Sequence, residues 1–207
     1  EAVGQAALAK RLDVNGLMVA PPAYVLPTAN ELSVHITAVV NSVNLPTCLY
    51  DYPARTGVSL SWETLDALAD NPNVMGIKEA SGDLSRVDVL ASRYDGRIQI
   101  VCGADADSGY FMDKGVTSWI GGMANALPKA HSGILDETTR DAAYRAVHPI
   151  LEYIEAGRYI AKTKALIGIL GFPTPHVRGP LLPATSTEIA ELEKLVAAAG
   201  EWAPRLV

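Results

Sequence analysis

Val74-Met75-Gly76-Ile77-Lys78-Glu79-Ala80-Ser81-Gly82-Asp83 is a short apolar run that delivers one lysine at its end and then turns. Such a run, bounded by turn signals, reads as a strand buried on both faces, and strands of that kind belong to parallel sheets covered by helices. A lysine at the end of a buried strand is out of place. Burial disfavours the ammonium form, and a free amine there can attack a carbonyl carbon and form a Schiff base. The competing reading of the same stretch is an ion pair of Lys78 with neighbouring Glu79 at a solvated strand end.

Outward from this stretch, strands and helices alternate. Residues 2 to 13 read as a helix stopped at Asn15-Gly16, and Leu17-Met18-Val19-Ala20 reads as a strand closed by Pro21-Pro22. Thr28 and Glu31 form a capping box before a helix to about Val43. Thr47 to Tyr52 is the next strand, ended by Pro53, and Ser61 starts a helix through Leu65 and Leu68. After the central strand, 74 to 79, come a helix to Tyr94, a strand at Ile98 to Gly103, a helix near 107 to 113 and a fifth strand, Val116 to Ile120. Only helical patterns follow, at about 127 to 135, 137 to 156, 159 to 170 and, behind a Thr185/Glu188 capping box, 186 to 199.

Strands alternating with helices are the signature of βα units and a parallel α/β sheet. Two architectures fit: a doubly wound sheet, which usually carries a nucleotide fingerprint after a strand, and a TIM (β/α)8 barrel, of which five strands would be the last five. No strand end here carries G-x-G-x-x-G or a Walker loop. On the barrel reading, residues 1–135 hold the βα units and 136–207 form a C-terminal helical segment. Chemistry sits at the carboxyl ends of the strands in either case.

Composition narrows the class. The 207 residues are 49% hydrophobic and 19% charged, with a net charge of -6, which argues against nucleic acid or an anionic membrane as the main partner. No apolar run approaches the ~18 residues of a membrane span, and a cytoplasmic enzyme is the expectation. The two cysteines, Cys48 and Cys102, fall on non-adjacent strands and are expected to be reduced, buried thiols. The chain opens inside a helical pattern without an initiator methionine, which predicts that a beginning is missing.

The strand ends offer Pro22 and Tyr24, Tyr50 and Asp51, Lys78 and Glu79, Gly103 and Asp105, and Ile120 with Gly121-Gly122. Lys78 reads as a nucleophile, and Tyr50, two residues before its strand ends, either as a packed aromatic with a satisfied hydroxyl or as a proton relay. Arg55, in a loop of small and polar residues, reads either as a surface arginine, the reading favoured when it is taken alone, or as the holder of a substrate carboxylate. A rival reading uses Asp51, Glu79 and Asp105 as oxygen ligands for Mg²⁺. Strand parity disfavours it, because Asp51 and Glu79 point opposite to Tyr50 and Lys78, and Asp105 or Asp107 suits the N-cap of the next helix. The histidines His35, His131, His148 and His176 show no ligand spacing.

Tyr50-Asp51-Tyr52-Pro53-Ala54-Arg55-Thr56-Gly57, Gly76-Ile77-Lys78-Glu79-Ala80-Ser81-Gly82-Asp83, Ala124-Asn125 and Val177-Arg178-Gly179-Pro180-Leu181-Leu182-Pro183 together resemble the dihydrodipicolinate synthase and N-acetylneuraminate lyase family. The resemblance implies a TIM barrel with a C-terminal helical segment and a pyruvate-dependent class I aldolase, a lyase without cofactor or metal. Lys78 matches the imine-forming lysine and Tyr50 the proton-shuttling tyrosine. Tyr24 falls where the synthases carry a tyrosine that reaches into a neighbouring subunit's site, and a homotetramer built from dimers is implied. Arg55 matches the arginine that receives the aldehyde's carboxylate and leans the reading toward the synthase branch. Gly103 and Ile120 match backbone positions lining the pyruvate pocket.

The chain departs from the family pattern at Asp51, where asparagine is usual, and at Ala23, where a second aromatic is usual. The second substrate therefore stays open between aspartate semialdehyde and the keto-deoxy sugar acids or N-acetylneuraminate handled by other members. The family's first three strands, with a threonine-rich loop that binds the pyruvate carboxylate, have no counterpart here. A barrel without them exposes two strand edges, so the isolated chain is expected to lack normal turnover. The remaining alternatives are a Mg²⁺-dependent barrel enzyme and a non-catalytic truncated barrel.

Overall fold

A computed structural model describes residues 1–172 and 176–206. Four strands, β1 (Leu17–Val19), β2 (Thr47–Asp51), β3 (Val74–Glu79) and β4 (Gln99–Cys102), form one sheet in the order β1-β2-β3-β4, and every pair is parallel. The chain divides into two compact units, one of Glu1–Gly103 with Ser118–Ile120 and one of Ala104–Thr117 with Gly121–Val207.

The first unit holds the sheet and helices α1 (Ala2–Arg11), α2 (Ala29–Ser42), α3 (Pro53–Thr56), α4 (Trp62–Ala69) and α5 (Ser85–Tyr94). The register explains why the strands read as continuous apolar runs. Val19, Leu49, Ile77 and Ile100 are partners in one row across the sheet. That row packs under Leu32, Ile36 and Val40 of α2, Leu65 and Leu68 of α4, and Leu90 and Tyr94 of α5. Its burial stabilises the unit at about 25 cal/mol per Å² of apolar area removed from water. The next row, Tyr50, Lys78 and Val101, points to the opposite face, and the row after it, Asp51, Glu79 and Cys102, returns to the helix side.

Helix starts follow the capping signals. Thr28 and Glu31 form the full reciprocal box at α2, and Ser61 accepts from the Thr64 N–H at α4. The predicted fifth strand is reduced to one backbone bridge: Val116–Ile120 pairs with β4 around Cys102, through Cys102 N–H to Ser118 O at 2.8 Å and Ile120 N–H to Cys102 O at 3.0 Å, and the Gln99 side chain donates to Ser118 Oγ at 2.6 Å. Arg55 is the other local difference. It lies in α3 rather than in a loop, because Pro53 supplies the φ of a first helical turn and Gly57, at φ 79°, closes it in the left-handed region.

The second unit is helical: α6 (Ser108–Asp113), α7 (Pro128–Leu135), α8 (Arg140–Glu155), α9 (Tyr159–Ile169) and α10 (Ser186–Ala199). Its predicted boundaries hold within a few residues, and Thr185/Glu188 forms the expected box at α10. Asp107 occupies the N-cap of α6 but its side chain makes no capping bond. Asp105 is used differently from the predicted cap. Its Oδ2 accepts from the Gly122 and Met123 N–H groups, at 3.1 and 3.2 Å, and from the Tyr159 hydroxyl at 2.8 Å.

Candidate functional site

The parallel register sets Tyr50 of β2 directly beside Lys78 of β3, with both side chains on the sheet face away from α2, α4 and α5. Lys78 is 8% exposed, and its Nζ lies 4.0 Å from the centroid of the Tyr50 ring. A cation over a shielded aromatic face is held by the ring quadrupole. The Tyr50 ring in turn stacks on Tyr52, centroids 5.7 Å apart and planes 29° from parallel. The Arg55 guanidinium lies 5.7 Å from the Tyr52 ring. Lys78, Tyr50, Tyr52 and Arg55 thus form a continuous run of cations and rings from the sheet to the exposed α3. Tyr52 is the member that sequence reasoning did not single out, although its i+2 spacing from Tyr50 was the available signal.

On the other face, the strand-end ion pair of Lys78 with a solvated Glu79 is replaced by a buried network. Glu79 is 1% exposed. Its Oε1 accepts the Ser81 N–H at 2.7 Å and its Oε2 accepts the Arg86 Nε–H at 3.2 Å. Asp51, its register partner, accepts from Ser59 Oγ at 2.6 Å, from Leu60 N at 3.1 Å and from the other arm of Arg86 at 2.8 Å. Burial pushes both carboxyls above the ordinary carboxylate range, against the lowering effect of these donors and of the Arg86 charge. Arg86 therefore fills the place between Asp51 and Glu79 that the Mg²⁺ reading assigned to a cation. Among the described residues no group of three or more His, Cys, Asp or Glu is arranged to hold a metal ion.

The remaining predicted positions are placed as follows. Gly103 donates its N–H to Glu79 O at 2.9 Å, and a Cβ there would stand 2.6 Å from that oxygen, so only glycine allows β4 to pass so close to the end of β3. Ile120 is tied by its N–H to Cys102, and its side chain is 45% exposed. Tyr24 sits in the loop between β1 and α2 at φ 78° and is 93% exposed, so it does not pack into the Lys78–Tyr50 pair of its own chain. Both cysteines are free thiols. Cys102 is buried, Cys48 is half-buried on the Lys78 face, and burial raises the Cys48 thiol more than the nearby Lys78 charge lowers it.

This arrangement presents a buried amine beside a phenol at the carboxyl ends of adjacent parallel strands, with an exposed guanidinium two rings away. The model of the dihydrodipicolinate synthetase family matches residues 1–199. The chain is 31% identical, over 98% of its own length and 71% of the relative's, to the 4-hydroxy-tetrahydrodipicolinate synthase of Geotalea daltonii. Among solved structures, it superposes with a TM-score of 0.88 on the chloride-inhibited dihydrodipicolinate synthase of Acinetobacter baumannii complexed with pyruvate, at 28% identity over 96% of this chain and 70% of that one. A monomeric dihydrodipicolinate synthase variant gives a TM-score of 0.85 at 26% identity, over 96% of this chain and 69% of that chain. The chain belongs to the dihydrodipicolinate synthetase family.

Proposed function

We propose that this chain carries the Schiff-base centre of a lyase that condenses pyruvate with an aldehyde, as a 4-hydroxy-tetrahydrodipicolinate synthase does. The observation that carries the reading is the register pairing of Tyr50 with Lys78, which holds a buried amine 4.0 Å from a phenol ring. The amine of Lys78 adds to the keto carbon of pyruvate, and the carbinolamine loses water to give an iminium ion. Loss of a methyl proton turns the iminium into an enamine, whose carbon adds to the aldehyde carbonyl. Hydrolysis then returns the free lysine. Proton transfers in carbinolamine formation and dehydration fall to the Tyr50 hydroxyl.

In this reading Arg55 receives the carboxylate of the aldehyde substrate, as a planar fork suited to it. The backbones at Gly103 and Ile120 line the pyruvate pocket, and Tyr24, standing in solvent on its loop, serves a neighbouring copy in a homo-oligomer. The βα units within 1–135 form part of a TIM barrel, and 136–207 are its helical extension. The free thiols Cys48 and Cys102 support a reducing, cytoplasmic setting. The Asp51 departure lies on the helix face, held by Arg86, and so does not alter the side of the sheet that bears Lys78. Arg55, suited to an aldehyde that carries a carboxylate, favours the synthase reaction over one of the keto-deoxy sugar acid reactions of the wider family.

Borohydride reduction in the presence of pyruvate tests the reading in the full-length protein. A reduced pyruvate adduct mapped to Lys78 by peptide mass is the expected result. A folded protein that yields no adduct overturns it.

A further inference from the structure

The Asp51–Arg86–Glu79 network touches no reacting atom, yet it is built on the two residues that follow Tyr50 and Lys78. Asp51 and Glu79 are register partners, as Tyr50 and Lys78 are, so each strand presents one reacting side chain on one face and one carboxylate on the other. Arg86, from the first turn of α5, spans the pair. One nitrogen donates to Asp51 at 2.8 Å and to Leu60 O at 3.0 Å, and Nε donates to Glu79 at 3.2 Å. The guanidinium lies 4.7 Å from the Trp62 ring, which helps to shield it from water. Ser59 and the Leu60 N–H fix Asp51 from the α3–α4 connection, and the Ser81 N–H fixes Glu79 from the turn after β3.

We propose that Arg86 is a positioning residue for the Schiff-base reaction: by bracing Asp51 and Glu79 it locks the relative height of β2 and β3 and so the placement of the Lys78 amine against Tyr50. The inference rests on the reading of Lys78 as the imine-forming lysine. Backbone hydrogen bonds alone leave two parallel strands free to shear by fractions of an ångström at their ends, and the ends are where these side chains sit. A rigid fork bonded to both strands removes that freedom. Reactions of held groups are steep in this coordinate, with a misplacement of about 1 Å costing up to ~10²-fold in rate. A lysine at the same position keeps the charge but cannot bridge two carboxylates in a plane.

The test measures the rate of borohydride-trappable imine formation as a function of pyruvate concentration in the full-length protein and its Arg86→Lys, Arg86→Ala and Asp51→Asn variants. Circular dichroism and thermal unfolding are recorded on each. Arg86→Lys is expected to fold and to lose about tenfold in the saturating rate, with the half-saturating pyruvate concentration nearly unchanged, because the amine is misplaced rather than the pocket lost. Asp51→Asn has one acceptor oxygen where Asp51 uses two, so it keeps the bonds from Arg86 and Ser59 only by turning its amide nitrogen toward the Leu60 N–H, and it is expected to lower the saturating rate by less than Arg86→Lys does. Guanidinium ion added to folded Arg86→Ala is expected to restore part of the rate. Wild-type rates in Arg86→Lys, or a loss carried wholly by pyruvate affinity, overturn the positioning role. Absence of any adduct in the parent protein instead overturns the assignment of Lys78 itself.

Discussion

Lys78 and Tyr50 were legible because each question they pose is answered by strand alternation: which residue ends the run, and which residue of the preceding strand shares its face. Substituting Tyr50→Phe separates the two ways in which the ring acts. The face beneath Lys78 and the stack on Tyr52 survive, since both are contacts of the ring. The hydroxyl is lost. Turnover of pyruvate with the aldehyde is expected to fall by about 10²-fold, the usual worth of a positioned proton relay, while urea unfolding shifts by less than ~1 kcal/mol. A loss of stability in step with the loss of rate would show that the phenol is structural. Arg86 was not legible at this scale. Its partners lie on two strands and one loop, and nothing in Leu84-Ser85-Arg86-Val87 tells a bridging arginine from a solvated one until the packing of α5 on the sheet is known. Cys48 offers a milder test. With its thiol raised by burial, alkylation by iodoacetamide at mildly alkaline pH is expected to lag behind that of a small free thiol, a difference read by mass spectrometry.

At the scale of elements, the capping boxes at α2 and α10 were readable because three-residue spacing is all the reciprocal bond requires. At α10, Glu188 accepts the Thr185 N–H at 2.7 Å and the Thr185 hydroxyl accepts the Glu188 N–H at 3.2 Å. Thr185→Ala is expected to cost about 1 kcal/mol, a fall of a few degrees in Tm for a chain of this size. The Thr185 N–H, and the Thr185 hydroxyl donating to Oε2 at 3.1 Å, hold the Glu188 carboxyl below its ordinary value, and the variant loses the second of these. The part of the stabilisation that needs the carboxylate is therefore full at neutral pH and is lost as the pH falls through the depressed folded-state value, so the difference between parent and variant narrows in acid. Thermal unfolding at a series of pH values reads both effects. The fifth strand was over-read for an equally local reason. Val116 to Ile120 has the apolar run of a strand, but periodicity says nothing about how many partners the run will find, and here it pairs around Cys102 alone.

For the molecule as a whole, the decisive feature is the edge of the sheet. β1 pairs with β2 on one side, and among the described residues no strand pairs with its other side. A groove of about 660 Å³ is lined by Leu17, Met18 and Val19 of β1 together with residues of α1 and α2, Gln5 and His35 among them. Met18 is 44% exposed there. An unpaired, apolar strand edge is a template for another chain, and closure into a barrel is what abolishes it. The 207-residue polypeptide produced alone is therefore expected to self-associate, with sedimentation velocity showing a mass distribution that grows with concentration. Met18→Lys puts a charge on the edge without touching the helix-packed row of Val19, Leu49, Ile77 and Ile100, and is expected to shift the distribution toward monomer. The same polypeptide is expected to give little condensation of pyruvate with an aldehyde, because self-association through the unpaired edge of β1 acts on the same four-strand sheet that holds Lys78 against Tyr50. A monodisperse, catalytically competent 207-residue polypeptide would mean instead that the four-strand sheet suffices for the chemistry. Closure into a barrel would then be dispensable to the proposed Schiff-base centre rather than its condition.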